Sequence, residues 1–356
     1  MDRRDRLLLV AGVLAAAGAV GAAFALGGGR VDPVGPAPNP LPPGSHQRRG
    51  VRDLVLPPGV PGPAAERLRT IWGRLVTQVD ADAAVTLDTL AAEDATGALA
   101  GQAPAAIEAL APVLEVLIRD GRDRVPAAAM RAVVALAARG GAPGKAAVER
   151  TGLVHRAFAI QADAGEPALR VETARLLGLL GGKTAADRLA LLVHDADPSV
   201  VEASIYALAQ VGAVEGRIPR EAAQAIYAAV DAAGSTSGVR TAALAAFHRL
   251  HKVFRTWGVA AKEAKALADP DPAVRAQAAT NLGDWPAPAA FDALVAALGD
   301  RDPRIQEPVA HALRGLRDPR AVEPLEKSLA TVSDPRARKA METALAACRA
   351  PLPPPR

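Results

Sequence analysis

The chain has 356 residues, of which half are hydrophobic but only 3% are aromatic, so its core must consist mainly of Ala, Leu and Val, as in closely packed helices. Residues 1–63 hold seven of the 42 basic and four of the 38 acidic residues, which leaves 35 basic and 34 acidic residues over the rest and argues against a nucleic-acid partner. The single cysteine, Cys348, excludes an intrachain disulfide and a thiolate metal site.

The first predicted element is an uncharged apolar segment, residues 7–26, which follows Arg3, Arg4 and Arg6. Its twenty residues would form a helix of about 30 Å, enough to cross the hydrocarbon core of a bilayer. The arginines before it favour a cytoplasmic N-terminus and translocation of everything that follows. We therefore expect a membrane anchor or signal peptide within residues 1–29 and an extracytoplasmic location, in the periplasm or cell envelope.

The sequence leaves open whether this segment is cleaved. Its apolar run is longer than the usual core of a signal peptide, which favours an uncleaved anchor that contacts the membrane through residues 7–26. Residues 23–25 (Ala-Phe-Ala) fit the small-x-small cleavage pattern, and Gly21 before them is a plausible helix breaker, so a cleaved signal peptide is the alternative. A third interpretation is a buried helix of a cytosolic protein.

Two proline-rich segments flank the main part of the chain. Residues 30–63 contain ten prolines, which fix φ and remove amide donors, so this segment is predicted to be an extended linker. Residues 350–356 form a short proline-rich tail. The domain between them, residues 64–349, is predicted to fold.

An internal repeat marks this domain. Its signature, Asp-x-Asp-Pro, occurs in full at Pro198, Pro272 and Pro303, in shortened form at Pro335 and as the degenerate copy Gly165-Glu166-Pro167. Three of the intervals between these prolines are 31, 31 and 32 residues, and the fourth, of 74, leaves room for two units, the second beginning near Ser237. A fixed period in this range is typical of a solenoid.

Each copy of the signature predicts the start of a helix. The second Asp is a good N-cap and Pro is tolerated at the first helical position, where the amide has no intrahelical partner. Apolar residues then follow at aligned positions that share one helix face. Glycines are expected to end these helices, at Gly181–Gly182, Gly212, Gly283 and Gly315. No alternating strand pattern occurs, so the fold class is all-α.

Residues 271–279 (Asp-Pro-Ala-Val-Arg-Ala-Gln-Ala-Ala) and 318–325 (Asp-Pro-Arg-Ala-Val-Glu-Pro-Leu) resemble HEAT repeats, and in particular the short variant named after phycobilisome lyases. The resemblance is strong over residues 166–348 and weaker over 64–163. It implies a bacterial protein and an armadillo-type α-solenoid, a right-handed superhelix of about seven to eight helix pairs. It also implies a scaffold that binds protein partners.

We therefore predict a non-catalytic protein-interaction scaffold, without a cofactor and with an unidentified protein partner. The alternative is a HEAT-like enzyme of the bilin-lyase or hydroxylase type. The His-Glu dipeptides that bind iron in some HEAT-like enzymes are absent from this sequence. We assign no catalytic or metal-binding residue, and the binding residues stay unassigned.

Three other sequence features have simple structural interpretations. Residues 178–184 resemble a phosphate-binding loop but lack its first glycine, so a helix end is the simpler interpretation. His248 and His251 share a spacing that metal ligands use, but no third ligand lies nearby in sequence, which favours solvated or capping side chains. Tryptophans are expected to fill gaps between repeats, at Trp72, Trp257 and Trp285.

Four arginines occupy equivalent positions early in the second helices: Arg170, Arg240, Arg275 and Arg338. They would stack as a ladder along one surface. They either bind an acidic partner or pair with the turn aspartates of adjacent repeats, and the structural role is favoured.

Overall fold

A computed structural model describes residues 53–350 of the chain except 94–98, 100, 123 and 154–165. The described part is helical and contains no strand, which confirms the predicted all-α class. The predicted membrane segment, residues 7–26, lies outside the described residues, and so does the tail at 351–356. None of the helices within the described part is both long and apolar enough to span a bilayer.

Sixteen α-helices are described. They are α1 (Gly62–Thr77), α2 (Asp80–Ala92), α3 (Ala103–Asp120), α4 (Val125–Arg150), α5 (Pro167–Leu180), α6 (Gly182–Leu192), α7 (Pro198–Glu215), α8 (Arg220–Ala229), α9 (Ser237–Arg249), α10 (His251–Phe254), α11 (Val259–Ala266), α12 (Pro272–Asp284), α13 (Phe291–Ala297), α14 (Pro303–Leu316), α15 (Val322–Leu329) and α16 (Pro335–Arg349). Short 3₁₀ turns, Pro288–Ala290 and Pro319–Ala321, precede α13 and α15.

The helices form pairs arranged in two layers. The second helices of the pairs pack side by side in chain order, as α2, α4, α5, α7, α9, α12, α14 and α16. The first helices form the other layer, each packed on its own partner. Helix α4 is kinked at Gly141 (φ 56°, ψ −138°), so it consists of two helical segments. The described residues contain eight second helices, in agreement with the predicted seven to eight pairs.

The aligned apolar positions of the repeat form the core. Val200, Ile205 and Leu208 of α7 are buried, and the equivalent residues of α12 and α14 are buried as well. The core falls into two hydrophobic clusters that meet at α5, whose Leu176 packs with the N-terminal cluster and whose Leu177 packs with the C-terminal one. A helix that offers apolar residues on both flanks can join its two neighbours, which is how a solenoid builds a continuous core.

The predicted caps are present in the structure. The second aspartate of each turn accepts a hydrogen bond from the backbone N–H two residues later, as Asp271 does from Ala273 at 2.8 Å. The same bond is made by Asp197, Asp302, Asp318 and Asp334. These bonds to the carboxylate, with the backbone N–H of Ala273 as the main cause, lower the pKa of Asp271. Helix α9 begins at Ser237, where the repeat spacing placed the unmarked unit.

The predicted role of the glycines is only partly correct. Gly181, with φ 76°, directly follows α5 as expected. Gly212, Gly283 and Gly315, however, lie inside α7, α12 and α14, so their assignment as helix ends is wrong. They are needed for close packing instead. A Cβ on Gly315 would lie only 2.5 Å from Cγ of Pro286 in the preceding loop.

Candidate protein-binding surface

The predicted arginine ladder holds successive repeats together. Each of three arginines on a second helix binds the first aspartate of the next Asp-x-Asp-Pro turn. The Nε–Oδ2 distances are 2.8 Å for Arg170–Asp195, 2.8 Å for Arg240–Asp269 and 2.7 Å for Arg275–Asp300. All six side chains are largely buried, and the hydrogen bond with Asp195 raises the pKa of Arg170. The favoured structural role is therefore correct for these three arginines.

Asp269 shows how one carboxylate serves two repeats. Its Oδ1 accepts a hydrogen bond from Nη2 of Arg240 and another from the backbone N–H of Asp271, both at 2.9 Å. Arg240 also donates from Nη1 to the carbonyl of Ser235 in its own turn, at 2.6 Å. Arg338, on the last described helix, donates to the carbonyl of Val332, at 2.7 Å.

The segment resembling a phosphate-binding loop is part of two helices. Gly178 is buried within α5, which continues to Leu180, so the strand that such a loop requires is replaced by helix. Lys183 lies in the first turn of α6, where its Nζ is 2.6 Å from Oδ2 of Asp187. This lysine is thus paired on its own helix, and the helix-end interpretation is correct.

The two histidines contact neighbouring side chains. Nε2 of His248 lies 3.6 Å from Oδ2 of Asp284, and the ring of His251 stacks on Trp285 with centroids 3.9 Å apart. Trp257 packs against Phe254 in the core, as a gap-filling tryptophan should, whereas Trp285 is half exposed. Within the described ranges, no group of three or more His, Cys, Asp or Glu side chains is arranged to hold a metal ion.

A groove of about 520 Å³ crosses three second helices, α4, α5 and α7. Each helix contributes residues spaced three or four apart, so one face of each helix lines the groove. The lining residues are Val134, Ala138, Val171, Arg175, Leu179, Ser199, Glu202, Ala203, Tyr206, Ala207 and Gln210. Most of them are apolar, which is unusual for the solvent-facing side of a helix layer.

Tyr206 is the main aromatic side chain of this groove, and 41% of its surface is exposed. Its partial burial, together with the charge of Glu202, raises the pKa of Tyr206, so the hydroxyl stays protonated and can donate a hydrogen bond. A half-exposed Tyr surrounded by Val and Leu is typical of the centre of a protein-binding surface.

A charged network fixes one wall of the groove. The carboxylate of Glu172, which is almost fully buried, accepts hydrogen bonds from Arg131 at 3.0 Å and from Arg175 at 2.8 Å. Arg131 also binds Asp88 of α2 at 2.6 Å, which links three second helices in a row. Because Arg175 is held by a buried partner, its guanidinium is oriented before any ligand arrives.

The sequence prediction missed this groove. In the sequence, each of the groove residues Val134, Val171 and Tyr206 fits the pattern of an amphipathic helix. The local sequence does not distinguish an apolar residue that faces a groove from one that faces the core. The available signal was the recurrence of large apolar residues outside the aligned core positions of three successive repeats. Recognising it requires knowing which helix faces lie side by side.

Residues 262–346 match the family model for HEAT repeats. Similar solved structures include two engineered proteins studied by the Northeast Structural Genomics Consortium. The first is 21% identical over 80% of this chain and 84% of its own, with a TM-score of 0.47. The second is 20% identical over 80% of this chain and 96% of its own, with a TM-score of 0.37.

A designed armadillo repeat protein is 18% identical over 79% of this chain and 100% of its own, with a TM-score of 0.37. No curated protein matches the sequence. The finer resemblance to the phycobilisome-lyase variant and the bacterial origin stay predictions. The family match confirms the predicted resemblance to HEAT repeats for residues 262–346, which lie within an all-helical array of pairs.

Proposed function

We propose that the protein is a non-catalytic scaffold for protein–protein interactions, presented outside the cytoplasmic membrane. The observation that carries the binding part is the largely apolar groove across α4, α5 and α7, which Tyr206 lines. Its volume of about 520 Å³ suits a few side chains of a partner helix or extended segment. Repeat arrays typically bind partners in this way, along a surface shared by neighbouring repeats.

The chemistry of the groove favours a partner with apolar anchors and a polar rim. Val171 and Leu179 offer apolar contacts that gain free energy when water is removed. Arg175 and Glu202 lie beside them with opposite charges, so they fix the orientation of a partner more than they add to its affinity. Tyr206 adds ring contacts and a hydroxyl donor.

The extracytoplasmic part of the proposal rests on the sequence. Residues 7–26, after three arginines, would anchor the chain in the membrane and translocate the repeats. Leu54, Leu56 and Val60 pack against the core and α1 begins at Gly62, so only residues 30–53 of the proline-rich segment would act as an extended linker, with a span of up to about 70 Å. The repeats would then reach partners well away from the membrane surface.

Photo-crosslinking tests the binding surface. A photoreactive amino acid placed at Tyr206 should crosslink a partner in cells, and the same residue placed at Leu191 should not. Leu191 is a suitable control because it is apolar and 62% exposed but lies on α6, outside the groove. Equal crosslinking at both positions, or none at Tyr206, would contradict the proposal. With the partner identified, Tyr206→Ala should weaken its binding about tenfold.

A phosphatase fusion tests the location. The enzyme requires an oxidising compartment to fold, so a fusion after Pro63 should be active if the repeats are exported. An inactive fusion, together with protection of the repeats from external protease in spheroplasts, would refute export. N-terminal sequencing of the mature protein distinguishes an anchor, which keeps Met1, from a cleaved signal peptide.

A further inference from the structure

A second groove, of about 250 Å³, lies between the second helices α14 and α16 near the C-terminal end of the array. The lining residues are Glu307, His311, Arg314, Arg336, Lys339, Ala340 and Thr343. On each helix they are three or four residues apart, so one face of α14 and one face of α16 border the same groove. Unlike the groove around Tyr206, this one is bordered mostly by charged side chains.

The charges of this groove are unbalanced. Arg314, Arg336 and Lys339 are exposed and face a single carboxylate, that of Glu307. Within the described part of the chain, none of the three cations forms an ion pair. Three nearby arginines outside the groove form ion pairs, although Arg338, which binds the carbonyl of Val332, forms none with a described residue. Arg304, Arg320 and Arg349 are paired, with Asp302, Asp318 and Glu326 respectively.

We infer that the groove between α14 and α16 binds an acidic segment of a partner protein. The inference rests on the proposed scaffold function and names the chemistry of one partner surface. Three cations gathered around one groove repel one another, and carboxylates placed between them would remove that repulsion. Arg314 and Arg336 can each bind a carboxylate through two parallel hydrogen bonds, whereas Lys339 supplies a compact charge.

The geometry of the two helices suits an extended peptide. Packed helices lie about 8–10 Å apart, and an extended chain advances about 3.3 Å per residue, so acidic residues two or three positions apart can reach both helices. Ala340, which is buried, borders the groove as a small side chain and leaves room for the peptide backbone.

Other anionic partners fit less well. Proteins usually bind a nucleic acid through a long basic surface. The chain beyond residue 63 has 35 basic and 34 acidic residues, so it lacks the overall basic excess that such a surface needs. An anionic bilayer is best bound by cations that protrude from the protein surface. The three cations of this groove instead border a recess that Glu307 also lines. An acidic peptide can enter the recess and direct its own amides toward that carboxylate.

The test measures binding of a fluorescein-labelled peptide of alternating Glu and Ala to the full chain in mild detergent, by fluorescence anisotropy at low salt. A peptide with Gln in place of every Glu is the control ligand. We expect the Glu peptide to bind and the Gln peptide to bind much more weakly. The triple variant Arg314→Ala, Arg336→Ala, Lys339→Ala should weaken binding of the Glu peptide about tenfold, as three moderate ion pairs would.

A matched triple variant removes the same charge elsewhere: Arg69→Ala, Arg220→Ala, Arg255→Ala. These arginines are exposed and lie outside the groove. The matched variant should change the affinity less than twofold, whereas an equal loss in both triple variants would overturn the inference. Glu307→Gln should strengthen binding about twofold to threefold, because it removes the only carboxylate that borders the groove. A weaker affinity in that variant would count against the proposed site.

Two further results separate this inference from its alternatives. If the groove triple variant loses binding to phosphatidylglycerol vesicles or to a DNA duplex but keeps its affinity for the Glu peptide, the groove serves a membrane or a nucleic acid and the inference is wrong. If the Glu peptide does not bind while crosslinking through Tyr206 persists, the acidic-segment inference fails and the scaffold proposal stands. Tyr206→Ala should leave binding of the Glu peptide unchanged.

Discussion

Replacing Asp269 with Ala should destabilise the array strongly at one place. This carboxylate accepts two hydrogen bonds from Arg240, at 2.8 Å and 2.9 Å, and one from the backbone N–H of Asp271. The side chains of Asp269 and Arg240 are only 11% and 18% exposed, so water replaces the lost bonds poorly. The substitution therefore breaks a connection between repeats and loosens the turn that caps α12.

The expected loss follows from these contacts. A charge-assisted pair that is mostly shielded from water contributes about 1.5–3 kcal/mol. The unpaired N–H of Asp271 adds to this loss, whereas Arg240 recovers part of it by keeping its bond to the carbonyl of Ser235. We expect Asp269→Ala to lower the free energy of unfolding by about 2–3 kcal/mol.

Arg304→Ala is a matched control, because it also breaks an Arg–Asp pair of the repeat. Its partner is Asp302, but the arginine side chain is 68% exposed, so the loss should stay within about 0.5 kcal/mol. Urea unfolding compares the two variants, and hydrogen exchange locates the effect, which should concentrate in α9 and α12. If Asp269→Ala costs no more than Arg304→Ala, or if exchange rises evenly along the array, the proposed role of the pair is wrong.

Three further predictions concern packing and buried groups. Gly178→Ala should lower stability by about 1–3 kcal/mol, because its Cβ would lie 2.9 Å from Cα of Ala207 on the neighbouring second helix, α7. Gly73→Ala has open space and should raise stability by up to about 1 kcal/mol, and thermal unfolding compares the two. Burial raises the pKa of Glu263, so the folded state binds its proton more tightly and loses stability as the pH rises past the usual Glu pKa of about 4.3. Glu263→Gln should therefore raise the urea midpoint at neutral pH but not in acid, and an equal effect at both pH values would contradict this. Burial also raises the pKa of Cys348, so a thiol reagent should modify the native protein slowly and the urea-unfolded protein fast, and rapid native labelling would refute this.

The sequence determined where the helices of the C-terminal repeats begin, because the physics of a helix start is local. An aspartate accepts a hydrogen bond from an amide two residues later, and proline restricts its own φ. The predicted starts at Pro198, Pro272, Pro303 and Pro335 are therefore the observed ones. The spacing of these signals located even the unit without a proline, at Ser237.

The sequence also determined which residues are buried in each copy. Positions five and three apart lie on one broad helix face, and that face must be covered once the helices pack. The burial of this face could be predicted without knowing which helix packs against it, because any neighbouring helix would cover it. Val274, Ala279 and Leu282 are accordingly buried.

The tertiary structure decided between structural roles that local sequence patterns do not distinguish. A glycine near a helix end can terminate the helix or admit a close neighbour, and Gly315 does the second because Pro286 approaches it from the preceding loop. An arginine on a helix surface can bind a partner or pair within the chain. Arg275 pairs because Asp300 is brought beside it, whereas Arg314, which finds no such carboxylate among the described residues, borders the basic groove. Such outcomes depend on residues far apart in the chain, and only the packing of helix against helix brings them together.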